Sequence, residues 1–230
     1  MTQPSLAHKN DLAHHINQGS FWLTESAQGE NTAALSYAAL EFRFAIERLA
    51  VHYWANLLGR KPESDDFKDI ESFKRVERRI YELAGHQKEI DGHFAFMRIV
   101  LSALKIEGSL HAPKLGKLSK YWHDCSELCH ISWPLSCSVL EVRQNAFTSL
   151  QNIAQALPPH AESMGWPVIN DPTFGELRDK FVTGYAKESE VFAHFEKTGL
   201  WAQLVLPDGT ESFVGEPVIP SEKKLKSINK

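Results

Sequence analysis

One stretch decides what this chain can fold into. Leu35, Ala38, Phe42, Ala45, Leu49, Tyr53 and Asn56 recur every three or four residues, the spacing of one helical face. A second stripe, Leu40, Phe44, Glu47, Val51, Trp54 and Leu58, runs down the same rod. A helix that is apolar on two faces belongs at the centre of a bundle, because one neighbour cannot cover both. Gly59 and Pro62 end the pattern.

The remaining chain reads as helices that can surround this rod. Asp65 is placed to cap a helix whose inner face is Phe67, Ile70, Phe73, Val76, Ile80 and Leu83, with Gly85 as its stop. Its outer face carries Lys74, Arg75, Arg78 and Arg79. Further helices are expected over Asp91–Glu107, Gly116–His130 and Val139–Leu157, with Trp133-Pro134 kinking the link before the last. After a turn-rich loop containing Trp166, Thr173 with Glu176 reads as a capping box for a helix running to Gly199. WAQLVL and ESFVGEPVI, separated by Pro207-Asp208-Gly209, read as a hairpin. The expected fold is mainly α: a bundle of about six helices with a small C-terminal β-hairpin. Its parts are an N-terminal arm (1–30) docking by Phe21, Trp22 and Leu23, a helical bundle (31–199), the hairpin (200–220) and a solvated basic tail (221–230).

Composition narrows the function classes. With 43% apolar and 23% charged residues the chain can build a core, which separates it from disordered sequences. A net charge of −4 excludes a strongly basic nucleic-acid coat protein, though not a local RNA-binding patch. The odd set of three cysteines, all between Cys125 and Cys137, is no secreted disulfide framework. No apolar run approaches the ~20 residues needed to cross a bilayer, and the N-terminus lacks the apolar centre of a signal peptide. A cytoplasmic protein without membrane contact is expected. No glycine-rich phosphate loop and no His-Glu-x-x-His motif occurs, so nucleotide-driven and zinc-hydrolase chemistries have no motif behind them.

Three constellations are able to carry chemistry. On the central helix, Arg43 and Glu47 are four apart and face each other, while Glu41, Arg48 and His52 share one stripe. Glu47 lies in an apolar stripe and needs a partner, with Arg43 the nearest. These five residues form either a packing network or a polar binding site lined by one helix. Arg79 and His86 make the second candidate, since a guanidinium holds a phosphate and an imidazole shuttles protons. Such a pair can cleave a phosphodiester without a metal; a solvated arginine face followed by a loop histidine gives the same spacing. The third is YWHDCSELCHISWPLSC, where His123, Asp124, Cys125, Cys129, His130 and Cys137 crowd together. The spacing matches no zinc finger or ribbon, and Cys125 and Cys129 suit a core, so a zinc-stabilised domain is the minor reading and no cofactor or metal is expected.

AALEFRFAIERLAVHYW followed by LGKLSKYWHDCSELCHIS resembles bacterial HEPN-like helical proteins of defence and toxin–antitoxin systems, over roughly residues 31–157. The resemblance implies a helical dimer. It also implies a metal-independent endoribonuclease built on a late histidine preceded, four to six residues earlier, by an arginine. His130 is the matching histidine here, but Asp124 and Cys125 stand where the arginine belongs; Arg79–His86 has the spacing in another part of the bundle, and Arg48–His52 is one residue short. The expectation is a catalytically silent interaction module with a protein partner or a second copy of itself. Its partner surface is the hairpin, the exposed aromatics Trp166 and Trp201, or the N-terminal arm. RNA is the ligand of the alternative reading.

Overall fold

The computed structural model describes residues 11–58, 60, 62–129, 139–163, 166–205 and 211–217. Its helices are α1 (Leu12–Glu25), α2 (Thr32–Leu58), α3 (Phe73–Ala84), α4 (Gln87–Ala103), α5 (Leu115–Cys129), α6 (Leu140–Ala156), the short α7 (Pro158–Ala161), α8 (Pro172–Val182) and α9 (Glu188–Thr198). Strands β1 (Gly199–Val205) and β2 (Glu211–Pro217) pair antiparallel, Gly199 opposite Pro217 and Val205 opposite Glu211. The protein is thus mainly helical with a small C-terminal hairpin. Among the described residues no helix is long and apolar enough to cross a membrane.

The chain divides into two compact units. One comprises the chain up to Gln87 together with His111–Val168; the other comprises Lys88–Leu110 and the chain from Ile169 onward. The hairpin therefore groups with α4, α8 and α9 rather than standing apart from one bundle of 31–199. The physical reason is a separate aromatic core: Phe96 of α4 meets Phe174 and Phe181 of α8 and Phe195 of α9 at ring-centroid distances of 5.4, 5.8 and 6.4 Å. Phe174 and Phe195 stack at 5.2 Å. At Gly215 φ is +83°, and a β-carbon there would collide with the Leu200 carbonyl and with Leu104, so the hairpin crosses that point only as glycine.

In the first unit α2 is the central rod, packed by α1, α3, α5 and α6. Its buried surface runs over Leu35, Ala38, Phe42, Ala45, Leu49 and Tyr53, as the first stripe predicts. The second stripe is shifted: Ala39, Ile46 and Ala50 are buried, while Phe44 is 39% exposed. Alanine on that side brings neighbouring backbones close. A glycine does the same from α1, where a β-carbon at Gly19 would stand 2.5 Å from Phe42 Cε1.

Several boundaries differ from expectation, each for a local reason. The presumed arm contains α1, capped by the Asp11 carboxylate accepting from the His14 amide at 2.9 Å. The helix expected from Asp65 starts at Phe73, capped by Ser72, after a 3-10 turn over Asp66–Ile70. The helix expected over Thr173–Gly199 is two helices, interrupted at Gly184 with φ +83°. Asp171, ahead of Pro172, caps the first of them in place of Thr173. Trp166 is 6% exposed and packs edge-on to Tyr53 at 5.9 Å, so it is not the exposed aromatic expected; Trp201 is 53% exposed. The Trp133-Pro134 link, the Pro207-Asp208-Gly209 turn and the basic tail lie outside the described residues.

The assignment of faces on α2 has a direct check. Phe42→Ala is expected to lower unfolding free energy by about 3–5 kcal/mol in urea titrations. Phe44→Ala, two positions on, is expected to cost less than half of that, a difference that a slipped face assignment would reverse.

Candidate functional site

Three polar side chains interrupt the buried surface of α2, and each recruits a partner from a different element. Glu41 is the first. Its Oε2 accepts from His15 Nδ1 of α1 at 2.7 Å, with His15 nearly fully buried beside the Phe44 ring. Glu47 is the second: its Oε1 accepts from Arg43 Nε at 3.0 Å and from Trp122 Nε1 of α5 at 2.7 Å. The Arg43 guanidinium lies 4.9 Å from the centroid of the Trp122 ring, which stacks on Phe73 at 5.6 Å. This makes a layered arrangement of cation, indole and phenyl with one carboxylate joining the first two.

Tyr53 is the third. Its hydroxyl lies 2.9 Å from His160 Nδ1 of α7 and donates to the His111 carbonyl at 3.4 Å. The His111 amide in turn donates to Ser163 Oγ at 3.0 Å, and the His111 and His160 rings sit edge-on at 6.0 Å. Burial pushes the Tyr53 phenol well above its ordinary value. His160 is pulled down to about 4, first by burial and then by the neighbouring charges of His111 and Lys117. None of Tyr53, His111 and His160 is a candidate from sequence spacing. The available signal was the phenol itself, which on a buried stripe requires a partner.

The predicted binding residues therefore do not form one site. Glu41 faces α1, whereas Arg43 and Glu47 face α5. Arg48 is exposed, and among the described residues no carboxylate pairs with it. His52 is exposed by area yet shielded on one flank, and that shielding lowers its pKa; its Nε2 lies 3.1 Å from Asn56 Nδ2. The predicted catalytic residues fare similarly. Arg79 turns to Glu82, which Arg78 also holds, both on an exposed face of α3. His86 is exposed beyond the Gly85 cap, its ring 6.5 Å from Tyr81. His130 and Cys137 lie outside the described residues.

Of the cysteine cluster, Cys125 is fully buried and its thiol is pushed far up by burial, then by Cys129 and Asp124. Cys129 is pushed up to about 11, again by burial first. Neither thiol ionises near neutral pH, so neither is an activated nucleophile. Asp124 is engaged by Lys120 at 2.7 Å and Ser149 at 3.1 Å. Among the described residues no group of three or more His, Cys, Asp and Glu side chains is placed to hold a metal ion.

Two outcomes follow from this geometry. Trp122→Phe removes the indole donor from Glu47 and is expected to cost about 1.5–3 kcal/mol of stability, the range for a hydrogen bond to a charged group. His160 titrates lower in the folded chain than in the unfolded one, near 6.5, so the unfolded state takes up its proton first on acidification. The stability that His160 contributes is complete above about pH 6.5 and is lost as pH falls to about 4. Thermal melts across that window are expected to flatten in His160→Phe.

Set beside known protein families, curated proteins and solved structures, the chain matches none of them.

Proposed function

We propose that the chain is a catalytically silent helical interaction module of the HEPN-like defence or toxin–antitoxin type, and that it docks a second copy of itself. The observation that carries this reading is an aromatic face shared by α1 and α2. Phe21 and Tyr37 are 51% and 52% exposed, Phe44 is exposed beyond them, and Trp22 joins the first two with ring centroids 5.1 Å from each. Large apolar rings gathered on one exposed face mark interaction surfaces, whereas isolated ones do not.

The charges on this face favour self-association. His14, Gln18, Phe21 and Glu25 recur along one stripe of α1, and Tyr37, Glu41, Phe44 and Arg48 along one stripe of α2. The two helices form a hairpin, so the exposed Glu25 lies near its loop end and the exposed Arg48 near its open end. A twofold axis across the face sets Glu25 of each copy against Arg48 of the other, which is the self-complementarity an isologous contact requires. The silent half of the reading rests on Arg79 being engaged by Glu82 and on the absence of arginine four to six residues before His130.

Light scattering after size exclusion, over a protein dilution series, tests the docking. Wild type is expected to be dimeric at micromolar concentration. Phe21→Glu with Tyr37→Glu is expected to be monomeric with unchanged circular dichroism, and Arg48→Glu to weaken the dimer about tenfold. Glu25→Arg combined with Arg48→Glu is expected to restore it. A monomer at all concentrations, or a charge swap that restores nothing, removes the self-docking face. RNA incubated with the chain in EDTA is expected to stay intact; cleavage lost in His130→Ala or His86→Ala would instead establish the metal-independent endoribonuclease.

A further inference from the structure

Between α5 and α6, within the first unit, lies a groove of about 570 Å³. That volume is within the ~300–1,000 Å³ range of small-molecule sites. Lys117, Lys120 and Asp124 line it from α5, and Ser149, Asn152 and Gln155 from α6, with Tyr121 and Ala156 completing the walls. None of these residues belongs to the aromatic face of α1 and α2.

The groove's charge is unbalanced: two ammonium groups stand against one carboxylate. Its one carboxylate, Asp124, uses Oδ2 to accept from both Lys120 and Ser149, so the Lys120 charge is already matched. Lys117 is different. Its Nζ lies 5.4 Å from the centroid of the Tyr121 ring, and among the described residues no carboxylate pairs with it. The carboxamides of Asn152 and Gln155, one helical turn apart on α6, add further N–H donors. An uncompensated ammonium beside neutral amide donors is a site for an oxyanion.

The charge of Lys117 also reaches His160, where, after burial and His111, it disfavours a proton. At the other end, Asp124 Oδ1 makes no hydrogen bond among the described residues and faces no competing cation besides Lys120, so it remains an acceptor for hydroxyl groups.

From the lining of this groove we infer that it binds the phosphate monoester of a small polyhydroxylated molecule, with the phosphate at Lys117, Asn152 and Gln155 and the hydroxyls at Asp124. A phosphate monoester carries more negative charge than a carboxylate and three peripheral oxygens, so an ammonium with two amide donors favours it. A sugar phosphate and a 5′-nucleotide share this chemistry.

Isothermal titration calorimetry on the full chain distinguishes the sources, using glucose 6-phosphate, AMP, glucose and inorganic phosphate as probes at low salt. Glucose 6-phosphate, AMP or both are expected to bind at least about tenfold more tightly than inorganic phosphate, and glucose not at all. Lys117→Ala is expected to lose about tenfold in affinity and Lys117→Arg to keep most of it. Lys117 is exposed, so neither variant threatens the fold, and thermal melts verify this. Equal binding of inorganic phosphate and the monoesters overturns the inference, as does full affinity in Lys117→Ala. Binding confined to a single-stranded oligoribonucleotide overturns it too, in favour of a polynucleotide surface. Because the groove and the docking face share no residue, each result stands whatever the light-scattering experiment shows.

Discussion

The first unit depends on how closely α1 and α2 approach each other. Gly19 leaves room for the Phe42 ring, and the alanines at 38, 39, 45 and 50 keep the rest of the rod narrow enough for α3, α5 and α6 to lie against it. Close approach of backbones maximises dispersion contacts and excludes water, which gives narrow side chains their value here. It also has a consequence for polar groups. Cover leaves several hydrophilic side chains of the rod only partly hydrated, and three of them take a partner from another helix. Glu41 finds His15 on α1, Glu47 finds Trp122 on α5, and Tyr53 finds His160 on α7. Burial supplies the driving force, and these three bonds select the register among the ways the same apolar surfaces could slide.

Periodicity made the helices legible, because burying one side of a helix forces the three-to-four spacing onto the sequence. The first stripe of α2 and the limits of α5 and α6 followed from it, and the two strands from the turn residues between them. What periodicity cannot convey is which of two adjacent stripes faces inward when both contain apolar residues. Phe44 and Leu40 are as apolar as Ile46, yet Ala39, Ile46 and Ala50 form the buried second face. Caps were less legible still. Asp171 and Thr173 are both good capping residues, and Pro172 at the first helical position decides for the former.

The candidate site was legible only where both partners lay on one helix. Arg43 and Glu47 are four apart, and that pairing is present. Trp122 is far along the chain from Glu47, and nothing in local spacing connects them. The same holds for Tyr53 with His160, whose meeting depends on how α7 folds back after α6. Division into two units was hidden for a related reason. Nothing in local spacing connects Phe96 with Phe195, and only tertiary packing groups them in a core with Phe174 and Phe181.

The direction of the perturbed side chains bears on the choice between binding and catalysis. Active sites shift pKa values towards the working pH, bringing a base or nucleophile within reach of both protonation states. Four interior groups of the first unit move the other way. His160 falls to about 4, Cys129 rises to about 11, and Cys125 and Tyr53 rise further. In all four, burial is the largest cause, and it favours the uncharged form. A histidine that stays neutral, thiols that stay protonated and a phenol that stays intact are groups used for packing and hydrogen bonding. Desolvation favours the uncharged form of each, whereas Arg48 and Lys117 lie exposed.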